Sequence, residues 1–263
     1  GYKIVDLGIK GKKAIICASS RGLGKACAKS LVMEGVDVTI NSRNQKNLEQ
    51  TLKELKGLNE GKVEMLVADL NTSEGQKLLS SICNDKDILI TNNDGPPPGN
   101  FFEMEKEDWL HALEANMLSA ISLIQSVLPG MQERNFGRII NITSAMVKSP
   151  NSLMGLSTAA RAGLTAVSKG LSKQVAINNV TINNLLPERF DTERQVFMTN
   201  LLMKNKGVSR EEARSEITST IAANRFGDPD EFGATCAFLC STHAGFISGQ
   251  NIQLDGGSYD GLI

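Results

Sequence analysis

Seven consecutive residues, Ala18, Ser19, Ser20, Arg21, Gly22, Leu23 and Gly24, carry the clearest chemistry in this chain. Most are small, and the two glycines stand where a Cβ would obstruct a tight turn or an approaching phosphate. An apolar run, Ala14–Ala18, leads into them and reads as a buried parallel strand. A helical pattern follows, with Leu23, Ala26, Cys27, Ser30 and Leu31 on one side. Strand, glycine turn and helix together present unpaired N–H groups and the positive end of a helix dipole. That arrangement suits the pyrophosphate of a dinucleotide. The spacing departs from the usual dinucleotide fingerprint.

The remaining polar candidates stand at the ends of further apolar runs. Val36–Asn41 ends at Ser42 and Arg43, Val63–Ala68 at Asp69, and Asp87–Thr91 at Asn92 and Asn93. Arg138–Ile142 ends at Thr143 and Ser144, and Val180–Leu186 at Pro187. A last strand, Asn251–Leu254, precedes Asp255, Gly256 and Gly257. Helical patterns alternate with these strands: Gln45–Lys56, Ser73–Asn84, Lys106–Arg134 with Pro129 and Gly130 disturbing its last turns, Leu156–Ala176 and Pro229–Cys240. Phe190–Arg225 reads as a long helical insertion, and the loop after Thr91 carries three prolines that stiffen it. Strict alternation without a linker or repeat predicts one doubly wound parallel sheet with helices on both faces, spanning 1–263 as a single domain. In such sheets ligands bind beyond the carboxyl ends of the strands, where these polar residues lie.

Composition excludes several classes. The 263 residues carry a formal net charge of −1, 41% hydrophobic and 22% charged residues. That balance provides no basic field for nucleic acid or an anionic membrane, and no run approaches a membrane span. The five cysteines lack CxxC spacing; Cys17, Cys27, Cys236 and Cys240 read as buried small hydrophobes, a reducing cytoplasm is expected, and the N-terminal residues lack a signal-peptide core. Two lone histidines, His111 and His243, lack ligand spacing, so no metal site is expected.

Taken in order, the motifs resemble the short-chain dehydrogenase/reductase family over nearly the whole chain, most of all its 3-oxoacyl-carrier-protein reductases. Ala18–Gly24 resembles the family's TGxxxGxG turn, and Asp69 with Leu70 its adenine-contacting Asp segment. Asn92–Gly95 resembles NNAG, while Asn116 and Ser144 fall at the family's catalytic Asn and Ser. Asn183–Thr192 resembles the segment that carries Pro-Gly and a Thr, and the Phe238–Gly257 stretch resembles the family's C-terminal ending. The resemblance implies a Rossmann-like fold with Ala18 to Gly24, Asp69, Leu70, Asn93, Asp94, Gly95, Pro187 and Thr192 at a dinucleotide. It implies a small carbonyl or alcohol substrate, a substrate lid over about 190–225, and a homo-oligomer, tetramer or dimer.

Cofactor choice follows from charge. NAD sites usually carry an acidic residue at the end of the second strand, and here that strand ends in Asn41, Ser42 and Arg43. Arg43, with Arg21 as a second arm, suits a 2′-phosphate, which favours NADP(H) over NAD(H).

The departures bear on catalysis. Where the family has Tyr-x-x-x-Lys this chain has Ser157 and Arg161, and its two tyrosines, Tyr2 and Tyr259, lie elsewhere. A serine hydroxyl is a poor acid beside a phenol, and a guanidinium holds its protons at any working pH. Three functional readings of Asn116, Ser144, Ser157 and Arg161 stay open. The chain is an oxidoreductase with another proton donor, such as a held water or Asp94; or a non-catalytic NADP(H)-binding module that senses redox state; or Arg161 binds an anionic substrate. In the plainest alternative, Ser157 and Arg161 only fill helix positions. Asp94 replaces the family's alanine; it could bind a ribose hydroxyl or act as an acid, and is expected foremost to cap its proline-rich loop. Phe197, Met198, Leu201, Leu202 and Met203 offer an apolar face suited to a greasy substrate or to packing.

Overall fold

The computed structural model describes residues 5–263. Seven strands form one parallel sheet: β1 (Lys13–Ile16), β2 (Asp37–Ser42), β3 (Val63–Val67), β4 (Ile88–Thr91), β5 (Gly137–Ile142), β6 (Val180–Pro187) and β7 (Asn251–Leu254). Their order is β3-β2-β1-β4-β5-β6-β7. The chain therefore winds outward from β1 to β3 and returns to β4 on the other side of β1. The switch point lies between β1 and β4, and two strand ends diverge there to leave a crevice.

Among the described residues nine α-helices connect the strands: α1 (Gly22–Met33), α2 (Gln45–Lys56), α3 (Ser73–Ser80), α4 (Lys106–Leu113), α5 (Ser119–Arg134), α6 (Gly155–Val175), α7 (Glu193–Lys206), α8 (Arg210–Ser219) and α9 (Pro229–Cys240). Strand alternation sorts the core into two layers. Ala14, Ile16 and Ile140 pack with Cys27, Leu31, Leu48 and Phe232 of α1, α2 and α9. Ile15, Leu89 and Ile139 pack with Leu79, Leu123 and Leu164 of α3, α5 and α6. Apolar side chains on both faces are what a parallel sheet covered on both sides requires.

Three expectations need correction. Ala18 is not in β1; its φ of 45° places it in the left-handed region. The helix expected over Lys106–Arg134 is interrupted at Glu114–Leu118 by one π-helical turn, and not at Pro129, which lies inside α5. Its neighbours Val127, Leu128 and Met131 are buried, so packing outweighs the hydrogen bond that proline removes. The 190–225 insertion is two helices. Gly207, at φ 66°, ends α7, and the Ser209–Glu212 capping box starts α8.

One polar rung crosses the sheet. Thr91, Asn141, Asn184 and Asn251 are register neighbours on β4 to β7. Thr91 Oγ1 donates to Asn141 Oδ1 at 2.7 Å, Asn141 Nδ2 to Asn184 Oδ1 at 2.9 Å, and Asn184 Nδ2 to Asn251 Oδ1 at 2.8 Å. A second Asn141 N–H reaches Ser168 of α6 at 2.9 Å.

Candidate active site

The glycine turn is held by side chains from neighbouring strand ends. The Ala18 N–H donates to Asn41 Oδ1 at 3.2 Å, and Asn92 Nδ2 donates to the Ala18 carbonyl at 3.1 Å. Ser19 Oγ donates to the Ile16 carbonyl at 2.8 Å, and Ser20 Oγ to Ser42 Oγ at 3.2 Å. A Cβ on Gly24 would fall on the Ala18 carbonyl oxygen and lie 2.9 Å from the Asn92 amide. No side chain caps α1 and no acidic residue stands in its first turn, which leaves its N–H groups open to an external anion. The cradle therefore fits a dinucleotide phosphate. Asn92, a strand-end candidate by sequence, thus braces the turn; Asn41 was not singled out, and its signal is an amide inside an apolar strand.

Around this cradle stand the other strand-end residues. Asp69 Oδ1 accepts the Asn71 N–H at 2.9 Å, while the Leu70 side chain is buried in the layer under α3 and α5. Asn93 Nδ2 donates to Asn71 Oδ1 at 3.0 Å and to the Ala115 carbonyl at 2.8 Å, pinning the loop to the π-helical turn. Asp94 is not the expected loop cap. No backbone N–H meets its carboxylate, which faces Arg21 at 3.6 Å and Arg43 at 3.8 Å. Arg21 also pairs with Glu193, the first residue of α7, at 3.1 Å; sequence gave no signal for that contact. Pro187 ends β6, and Thr192 precedes α7 without capping it by its side chain. The left-handed residue of this segment is Arg189, at φ 57°.

Ser157 and Arg161 share one buried face of α6. The Arg161 guanidinium donates from Nε to Ser157 Oγ at 3.0 Å. From Nη1 it donates to the carbonyls of Ile142 at 3.0 Å and Thr143 at 3.3 Å, and from Nη2 to that of Asn93 at 3.4 Å. The side chain thus ties the ends of β4 and β5 to α6. Burial pushes its pKa down to about 10; Arg194 adds to the drop and Asp94 opposes it. A Cβ on Gly95 would lie 3.5 Å from Arg161 Nη2 and 3.6 Å from Ser157 Oγ, so the loop covers the pair closely. Ser144 Oγ accepts the Met146 N–H at 3.2 Å at the start of a short 3-10 turn.

Asn116 lies in the π-helical turn and is 6% exposed, with neither amide atom partnered within the protein. It lines a cavity of about 20 Å³ together with Thr91, Asn93, Arg161 and Leu164. That is room for one water, a fitting partner for an orphaned amide. Tyr259 sits under Lys148, whose Nζ is 5.4 Å from the ring centroid, and donates from its hydroxyl to Ile263. Tyr2 lies outside the described residues. Among the described residues no group of three side chains suits a metal ion, and no helix is long and apolar enough to cross a membrane.

A family model described as Enoyl-(Acyl carrier protein) reductase matches residues 17–259. The chain belongs to the short-chain dehydrogenase/reductase family. As a member, it is an oxidoreductase with a Rossmann-like fold. It is similar to the NADPH-dependent reductase BacG of Bacillus subtilis, with 32% identity over 94% of this chain and 97% of that protein. The 3-oxoacyl-[acyl-carrier-protein] reductase FabG of Haemophilus influenzae is also 32% identical, over 95% of this chain and 99% of that protein. Among solved structures, L-sorbose reductase from Gluconobacter frateurii, complexed with NADPH and L-sorbose, superposes with a TM-score of 0.93. It is 27% identical, covering 98% of this chain and 100% of that chain.

Proposed function

We propose that this short-chain dehydrogenase/reductase is an NADP(H)-dependent carbonyl reductase, or alcohol dehydrogenase in reverse, with 3-oxoacyl compounds as the first substrates to test. The observation that carries the cofactor choice is the convergence of Arg21 and Arg43 within 4 Å of a single anion at the mouth of the glycine turn. No carboxylate from the end of β2 stands there to favour a ribose diol. The names of the relatives favour turnover over a purely cofactor-holding role.

The turn from Ala18 to Gly24 would hold the pyrophosphate, with Asp69, Leu70, Asn93 and Gly95 along the adenosine side and Pro187 and Thr192 along the nicotinamide side. Bound there, the cofactor supplies or accepts a hydride at its nicotinamide ring. The protein has then to orient a carbonyl and deliver a proton. Ser144 and Ser157 offer the hydroxyls that orient it. Arg161 holds the floor of the site and adds a fixed positive charge beneath a developing oxyanion. Its protons stay in place at working pH, so the proton is relayed from bulk solvent, and a water held in the Asn116 cavity would pass its proton on and regain one from solvent. Ser157 and Arg161 stand in this reading where the family has its Tyr and Lys.

Helices α7 and α8 serve as the lid of this one-domain enzyme, 1–263. Exposed Phe197, Met198 and Leu201 on α7 suit an acyl chain. The enzyme works as a homo-oligomer, tetramer or dimer, which covers exposed Leu110, Leu118 and Val167. Five buried free thiols fit a reducing cytoplasm.

Fluorescence titration with NADPH and NADH, followed by transfer of deuteride from labelled NADPH to 3-oxoacyl and sugar ketones, tests this. Tighter NADPH binding with label in the product is expected. Binding without transfer to any ketone would refute the reductase reading, and no binding of either nucleotide would refute the site.

A further inference from the structure

We infer that Asp94 is the residue that sets the balance between NADP(H) and NAD(H) in this site. The inference rests on the reading of Arg21 and Arg43 as the 2′-phosphate arms. It goes beyond that reading because the carboxylate has the opposite effect on the two cofactors.

The geometry is a single anion between two cations. The Asp94 carboxylate lies 3.6 Å from an Arg21 nitrogen and 3.8 Å from an Arg43 nitrogen. Both are reached from one Oδ2 atom, so that oxygen occupies the place between the guanidiniums that a shared phosphate oxygen would take. The loop backbone beneath it is fixed, because the Asp94 N–H donates to Asn93 Oδ1 at 2.9 Å and Asn93 is itself tied to Ala115. The side chain is free to swing, being 64% exposed and clear of any backbone donor.

A 2′-phosphate gripped by both arginines has to displace this carboxylate or lie beside it. Either outcome weakens NADPH: the first breaks two ion pairs, and the second sets a carboxylate against a phosphate dianion. NADH carries a ribose 2′-hydroxyl at that place instead. A hydroxyl donates, a carboxylate accepts, and the pairing is the one by which acidic residues select NAD in other dinucleotide sites. Asp94 therefore lowers the affinity for one cofactor and raises it for the other, and the chain holds both devices in one pocket. Glu193 enters the same balance at one remove. It takes an arm of Arg21 at 3.1 Å but lies outside the Arg43 contact.

The test is the ratio of NADH to NADPH dissociation constants, measured by fluorescence titration in wild type, Asp94→Asn, Asp94→Ala, Arg43→Ala and Asp85→Asn. Asp85 pairs with Lys13 and Lys86 before β4, at the opposite end of the strand, and controls for the loss of one negative charge. Both Asp94 variants are expected to raise the ratio about tenfold, since exposed charge pairs contribute up to about 1 kcal/mol each. Asp85→Asn is expected to leave it within about twofold, because separated surface charges are screened. A ratio unchanged in the Asp94 variants while Arg43→Ala lowers it would overturn this inference and leave the cofactor reading standing. A ratio that Arg43→Ala does not lower would overturn the cofactor reading. An equal rise in Asp85→Asn would assign the effect to net charge and overturn the role of Asp94.

Discussion

Replacing Arg161 with lysine keeps the charge and removes the fork. The guanidinium serves four acceptors: Ser157 Oγ and the carbonyls of Ile142, Thr143 and Asn93. An ammonium has three donors at one point and no planar spread, so it cannot span the ends of β4 and β5 while keeping Ser157. One or two of these bonds are lost, and each bond to a charged donor contributes about 1.5–3 kcal/mol. Arg161 is 9% exposed, so bulk water does not replace them in full. The expected loss for Arg161→Lys is about 2–4 kcal/mol, which for a chain of this size lowers Tm by about 5–15 °C. Urea unfolding followed by far-UV circular dichroism, at fixed protein concentration and without nucleotide, measures it. A variant within about 0.5 kcal/mol of wild type, the range of ordinary surface substitutions, would refute the clamp and place the guanidinium's worth in ligand contacts alone.

Ala18→Gly should stabilise the chain by about 0.5 kcal/mol, the relief of a left-handed alanine less the added freedom of the unfolded glycine; urea midpoints read it, and a loss of stability would refute the assigned backbone at φ 45°. Burial pushes the Cys17 thiol up to about 12 and Cys83 up to about 11, and all five cysteines are buried. The native protein at pH 8 should leave a thiol reagent unconsumed, and the urea-unfolded protein should consume five equivalents. The Arg225 guanidinium, and then the Asp228 backbone N–H, hold the Glu231 carboxyl down at about 2 from an ordinary 4.5. A depressed carboxyl stabilises above the unfolded value and loses that contribution as pH falls through the folded one. Acid unfolding of Glu231→Gln should therefore be flatter between pH 4.5 and 2 than that of wild type.

Legibility differed by residue type. Helices α2 and α9 and strand β7 run between the residues that sequence gives them, because Asn44, Asp228 with Pro229, and Gly57 are explicit starts and stops. The split between α7 and α8 was also written in the chain, as Gly207 and the Ser209–Glu212 box, and a reading that sees one insertion passes over both. The π-helical turn at Glu114–Leu118 has no such mark. It inserts one residue per turn without any glycine or proline, and only packing places Asn116 beside Arg161. The family resemblance located Ser157 and Arg161, but not their orientation. Three main-chain carbonyls, invisible as letters, fix the guanidinium at the floor of the site. Asp94 differs again. Its partners, Arg21 and Arg43, lie in two other loops, so a local turn rule misassigned it.

The rung from Thr91 to Asn251 has a direction: Thr91 only donates, Asn141 and Asn184 accept from the strand before and donate to the next, and Asn251 only accepts. A strand that slipped by one residue would turn its rung residue out of line and leave a buried neighbour, Thr91, Asn141 or Asn184, unmatched at about 1–3 kcal/mol, whereas exposed Asn251 can turn to water. Parallel strands separated by long crossovers meet late and in many possible alignments. The rung acts on that search as a combination does on a lock, with most alignments rejected before the sheet closes. It also makes the four positions interdependent over evolutionary time. A change at Asn184 alone strands the buried Asn141, whereas joint replacement by apolar residues removes the penalty, so Thr91, Asn141 and Asn184 should drift as a set or stay fixed.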